Sequence, residues 1–141
     1  MIETFLKPDS NFAFIRVSGK LTDQELFDHL ENFNTIASEL MGTMELADCR
    51  EATDLTELTV VGVLKAAKLE QGQQRNIGSK VAILVSTELT YGLARIYATI
   101  AGEHKEEVNI FYSIEEAFEW LNPEDNMQEV VSFVDSIIDA E

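Results

Sequence analysis

Tyr91 and Arg95 stand four residues apart in Tyr91-Gly92-Leu93-Ala94-Arg95-Ile96-Tyr97, so on a helix they share one face, which Ala98 continues. A guanidinium beside a phenol suits a carboxylate or phosphate head group, because Arg presents a planar fork of donors. The same pair also suits a plain tether, with the Arg stacked on the Tyr and holding its helix to a neighbour. Gly92 inside that helix costs about 1 kcal/mol relative to alanine, which points to a close approach by a neighbouring element or a ligand. A second pair, Asp48 and Arg50, follows a short strand, at the rim where open α/β sheets bind ligands. Its plainer role is a loop cap with an ion pair. Arg50 and Arg95 would converge on one anion if their strands are neighbours.

Nothing comparable points to catalysis. Cys49 needs a base to become a nucleophile, and the histidines, His29 in a helix and His104 in a polar loop, are not spaced to supply one. Cys49 is expected to be a small buried side chain. The acids are scattered over helix faces, without the spacing of a calcium loop or a zinc cluster. A phosphorelay receiver needs an acidic pair after its first core strand and a lysine after its last; here Gly19-Lys20 and Tyr112-Ser113 stand there, and Asp48 alone does not suffice. No catalytic residue, metal or cofactor is expected.

The 141 residues fit one domain, and 45% apolar residues suffice for a core. Lys plus Arg number 10 and Asp plus Glu 26, a net charge of −16. That balance weighs against nucleic acid, whose binding draws on cations neutralising phosphates, and against docking on anionic lipid. One cysteine forms no internal disulfide. The start, Met1-Ile2-Glu3-Thr4, lacks the basic region and apolar run of a signal peptide, and no stretch is apolar and long enough to cross a bilayer. A cytoplasmic protein without a transmembrane segment is expected.

The candidate residues must be positioned by alternating strands and helices. Phe12-Ala13-Phe14-Ile15-Arg16-Val17 has strand composition, with Ile2 to Leu6 as its hairpin partner. Thr22-Asp23-Gln24-Glu25 is a capping box, opening a helix with an apolar stripe at Leu26, Leu30, Phe33, Ala37 and Leu40, ended by Gly42. Met44 to Asp48 is a short strand. From Thr53 to Gln71 a helix is expected, capped by Asp54 with Glu57 in its first turn, although Thr59 to Leu64 also suits a buried strand. Lys80 to Val85 is a central strand buried on both faces. Ser86 or Thr87 caps the helix of Tyr91 and Arg95, and Gly102 stops it. Glu107 to Phe111 is an edge strand. Ser113-Ile114-Glu115-Glu116 opens a further helix, and Asn122-Pro123-Glu124-Asp125 starts a last one, whose apolar side (Met127, Val130, Val131, Val134, Ile137, Ile138) must be buried against the domain or a second copy. The tally is an α/β layer structure with a mixed sheet of four or five strands and helices on both faces.

Two stretches, Ser86 to Tyr97 with Tyr-Gly-x-Ala-Arg-x-Tyr and Phe111 to Leu121 with Glu-Ala-x-x-Trp-Leu, resemble the SpoIIAA-like branch of the STAS superfamily. The resemblance covers residues 3 to 121. It implies a four- or five-stranded mixed sheet with flanking helices and no known catalysis. Sporulation members of the wider superfamily are anti-sigma-factor antagonists switched by phosphorylation of a serine within Asp-Ser-Ser-Gly-Leu-Gly-Val-Leu. The matching segment here is Glu57-Leu58-Thr59-Val60-Val61-Gly62-Val63-Leu64: Thr59 falls at the phosphoserine position without its Asp-Ser context. Other SpoIIAA-like members resemble CRAL-TRIO lipid-transfer domains and have been proposed to hold apolar ligands between helices.

The expectation is therefore a SpoIIAA-like domain over residues 1–121 with a C-terminal amphipathic helix over 122–141. It would be a non-catalytic binder of a small apolar or amphipathic, lipid-like anion, in a cleft with Tyr91, Arg95, Tyr97, Arg50 and Asp48 around its cationic end. The alternative is a regulatory protein-interaction module, its partner a regulatory protein or an identical chain, with Thr59 as a candidate site of phosphorylation, modified or not.

Overall fold

The computed structural model describes residues 1–37, 39–71, 78–102, 107–121 and 127–140. Five strands form one sheet in the order β1-β2-β3-β4-β5: β1 (Ile2–Lys7), β2 (Phe12–Thr22), β3 (Met44–Glu57), β4 (Lys80–Leu84) and β5 (Glu107–Phe111). The hairpin β1–β2 is antiparallel and the remaining pairs are parallel, so the sheet is mixed. The helices are α1 (Asp23–Ile36), α2 (Val60–Gln71), α3 (Glu88–Ala101), α4 (Ile114–Leu121) and α5 (Met127–Asp139). Each of the crossovers β2–α1–β3, β3–α2–β4 and β4–α3–β5 advances one strand in the same direction. Connections of one hand then put α1, α2 and α3 on a single face.

The alternation of side chains along each strand splits the core in two. Phe12, Phe14, Leu46, Ala82 and Leu84 turn to one face and are covered by Ala117, Phe118 and Leu121 of α4 and by Val130 and Val134 of α5. Thus the apolar side of α5 is spent on this domain's own sheet. Ala13, Ile15, Val17 and Leu21 turn to the other face with Phe33 of α1, continued by Val81, Ile83 and Val85 with Ala94 of α3. Caps follow the sequence: Thr22 Oγ1 accepts from the Glu25 N–H at 3.0 Å, and Thr87 Oγ1 from the Thr90 N–H at 3.2 Å. The start of the last helix at Asn122 to Asp125, and His104, lie outside the described residues.

Three expectations are corrected. Helix α1 ends at Ile36 with Ala37 as its cap, well before Gly42. The expected helix from Thr53 is two elements: β3 continues to Glu57 and α2 begins only at Val60. Asp54 caps no helix; its carboxylate accepts from the Thr56 N–H and hydroxyl instead. The strand continues because its pairing with β2 changes. Arg16, Ser18, Lys20 and Thr22 face Asp48, Glu51, Asp54 and Glu57, so each step of two residues on β2 is matched by three on β3, with a bulge at every step. Repeated bulges bend and twist a strand, and they carry β3 beyond β4, whose pairing stops at Asp48 and Leu84.

Candidate functional site

Between the sheet and helices α1 to α3 lies a cavity of about 150 Å³, partly open to solvent and overwhelmingly apolar. Strand β2 contributes Ile15 and Val17, and β4 contributes Val81 and Ile83; helix α1 closes it with Leu26, His29, Leu30 and Phe33, α2 with Val63, and α3 with Leu93 and Ala94. The bulged end of β3 supplies Cys49, Ala52 and Leu55, with Leu58 following in the turn. With three residues per repeat, every third side chain points inward. Small residues, Ala47, Ala52 and Ala94, stand where larger ones would fill the space.

A few polar groups border it: Glu45 from β3, Glu70 from α2, Thr90 and Tyr97 from α3, and His29. Glu45 and Glu70 are buried, at 6% and 4% exposure. No lysine or arginine among the described residues lines the cavity. Burial first, and then the charge of Asp48, push the Cys49 thiol up to about 12, so at neutral pH it is an inert wall group rather than a nucleophile.

Of the residues expected at a ligand, only Tyr97 borders the cavity. Arg95 is exposed, its Nη1 3.5 Å from the Tyr91 hydroxyl, while the Tyr91 ring stacks on Tyr112 with centroids 5.6 Å apart. Gly92 has open space where a Cβ would stand, so among the described residues no element approaches it closely. Asp48 and Arg50 satisfy each other: Arg50 Nε and Nη2 donate to the Asp48 carboxylate at 3.0 and 2.8 Å, and the Arg50 N–H adds a bond at 3.1 Å. The hydrogen bond to Asp48, followed by the charges of Asp48, Glu51 and Glu115, holds the guanidinium proton more tightly than usual, against desolvation. Neither Arg50 nor Arg95 lines the cavity, so among the described residues the expected cationic end is not there.

Thr59 stands at the entrance to α2 and serves as its cap, Oγ1 accepting from the Gly62 N–H at 2.9 Å. Its own N–H and hydroxyl donate to the Asp23 carboxylate at 2.8 and 2.7 Å. Asp23, on the first turn of α1, was not marked by the sequence beyond its place in a capping box. Glu45 and Glu70 were missed as well, being indistinguishable from surface acids. The one available signal was Glu45 inside the apolar strand Met44-Glu45-Leu46-Ala47, at a position that alternates with Leu46.

No protein-family profile matches the chain, and no curated protein matches it. Among solved structures, it is similar to an uncharacterised protein of the DUF3478 family with a SpoIIAA-like fold from Shewanella loihica PV-4. The two share 19% identity over 86% of this chain and 92% of the other, with a TM-score of 0.56. The mixed five-stranded sheet with α1 to α3 on one face is thus a SpoIIAA-like fold.

Proposed function

We propose that this chain is a non-catalytic binding domain whose cavity holds a small, uncharged apolar ligand. The observation that carries the reading is the void itself, about 150 Å³ walled by aliphatic and aromatic side chains. Close-packed interiors leave few such spaces, and apolar cavities of this size stay dry and admit benzene or xenon. The walls turn the ligand away from the lipid-like anion that Tyr91 and Arg95 suggest: they are overwhelmingly apolar, and no lysine or arginine among the described residues lines them to pair with a negative head group. Benzene is the probe of choice. Titrated into methyl-labelled protein, it is expected to shift the methyl resonances of Leu26, Leu30, Val63 and Ile83 and to leave Val130 and Val134 unmoved. Absence of shifts at saturating benzene would remove the reading.

A second reading, a regulatory protein-interaction module, is favoured by one observation. Val60, Val61, Leu89 and Tyr112 are exposed at 50, 60, 64 and 53%, at the starts of α2 and α3 and just after β5, all on the carboxyl side of the parallel strands. The acids Glu57, Glu88 and Glu115 stand on the same rim. An apolar and basic protein surface would complement it. Val61→Glu and Leu89→Glu would then abolish capture of such a partner and leave benzene binding intact; unchanged capture would exclude this rim.

A further inference from the structure

Helices α1 and α2 pack against each other along one wall of the cavity, and their N-terminal ends are joined by a single carboxylate. Asp23 accepts the Thr59 N–H at 2.8 Å on Oδ1 and the Thr59 hydroxyl at 2.7 Å on Oδ2. It sits where the positive end of α2 favours an anion. Gly62 makes this placement possible, because a Cβ there would overlap the Asp23 carboxylate far inside contact distance. Beside each member of this contact stands a residue that walls the cavity: Leu26 one turn after Asp23, Leu58 before Thr59, and Val63 after Gly62.

The geometry points to a latch: the Asp23 carboxylate holds the N-terminal ends of α1 and α2 together over the cavity, and its release opens that wall to ligand. The inference rests on the cavity being the ligand site. Apolar contacts between packed helices are non-directional and slide and reform at small cost. The Asp23–Thr59 bonds are directional and are made or broken as a unit. The latch has no chemistry of its own; it sets how fast the interior is reached.

Benzene exchange, read from methyl line shapes, tests it. Asp23→Ala is expected to speed exchange at least tenfold while the same methyls still shift. Gly62→Ala should do the same by displacing the carboxylate. Adding Gly62→Ala to Asp23→Ala should then change little further, because the obstacle to the new methyl is gone. Val134→Ala, on the opposite face of the sheet, controls for loss of stability and should leave exchange unchanged. Equal exchange in the wild type and Asp23→Ala would overturn the latch while leaving the cavity reading intact. So would a Val134→Ala variant as fast as Asp23→Ala, or strictly additive effects of the Asp23 and Gly62 substitutions. Failure of benzene to shift any cavity methyl in the wild type would instead remove the underlying ligand site.

Discussion

Arg50 grips Asp48 with two hydrogen bonds, one to each carboxylate oxygen, although both residues belong to one strand, β3, two positions apart and hence on one side of it. The pair is unequal in its exposure, 33% for the Arg50 side chain and 6% for Asp48. Removing one partner of a buried pair strands the other charge, so the cost depends on which partner remains. Arg50→Ala leaves a buried carboxylate and is expected to lose about 3 kcal/mol in urea unfolding. Asp48→Ala leaves a guanidinium that water reaches, and is expected to lose about 1 kcal/mol. Both should bind benzene as the wild type does, because neither residue borders the cavity. Equal losses would mean that the pair's burial is shared evenly.

Cys49 gives a pH dependence of stability. Its thiol ionises only at about 12 in the folded chain, against 9.0 for the unperturbed group. Between these values the unfolded chain has lost the proton and the folded chain has kept it. The unfolded state therefore binds fewer protons, and stability falls as pH rises through this window. At pH 10 the wild type is expected to lose about 1.4 kcal/mol more, relative to pH 8, than Cys49→Ala does. The difference between the two proteins isolates this thiol from every other ionisable group. Identical pH profiles in chemical denaturation would show that the thiol is already hydrated.

The same segment shows why the fold was more legible than the site. Phe12 to Val17 and Lys80 to Val85 carry undiluted strand composition, and Thr22 and Thr87 announce the starts of their helices, so most of the α/β layout follows from local chemistry. The bulged end of β3 does not. Its pairing of three residues against two sends Cys49, Ala52, Leu55 and Leu58 to the cavity at intervals of three, a spacing that in sequence belongs to a helix. The strand therefore imitates the helix expected from Thr53 onward. The latch was hidden for another reason: Asp23 and Thr59 are 36 residues apart and meet only because α1 and α2 start on the same rim of the sheet. The cavity is the distance between two layers, which no residue encodes singly. Small side chains such as Ala52 and Ala94 contribute to it by what they leave unfilled.

That emptiness makes filling it informative. Ala52 lines the cavity from the bulged strand and is only half-buried, so a larger side chain can enter without forcing the sheet apart. Ala52→Leu is expected to hold or raise stability by up to about 1 kcal/mol and to weaken benzene binding at least tenfold. Leu30→Ala, by enlarging the void, should cost about 2–5 kcal/mol and admit a bulkier probe such as toluene. Benzene affinity unaffected by Ala52→Leu would place the bound probe elsewhere.

Helix α5 gives a further kind of test. Val130 and Val134 are 1% and 0% exposed and lie over Phe12 and Phe14, so the helix completes a core. Val134→Ala is expected to cost about 2 kcal/mol, from two buried methyl groups and the space they leave. Val134→Asp, burying an unpaired charge, should abolish cooperative unfolding and provoke aggregation. A well-folded Val134→Asp monomer would show that α5 leaves the sheet freely.

Thr59 decides between a modified residue and a structural cap. Its hydroxyl donates to Asp23 and accepts from the Gly62 N–H, so both directions of its hydrogen bonding are occupied. A phosphate there would bring its negative charge against the Asp23 carboxylate, and could be accommodated only if α1 moved away. Thr59→Ser keeps both bonds and is expected to cost less than about 0.5 kcal/mol. Thr59→Val loses them and the cap, at about 1–2 kcal/mol. Thr59→Glu adds repulsion and should be the most destabilising of the three, its loss largely relieved when Asp23→Asn is introduced beside it. Hydrogen exchange of the Gly62 amide follows the same order, fastest in Thr59→Glu. A Thr59→Glu protein as stable as the wild type would mean that the entrance to α2 tolerates a second anion, and Thr59 would then remain a candidate site of phosphorylation.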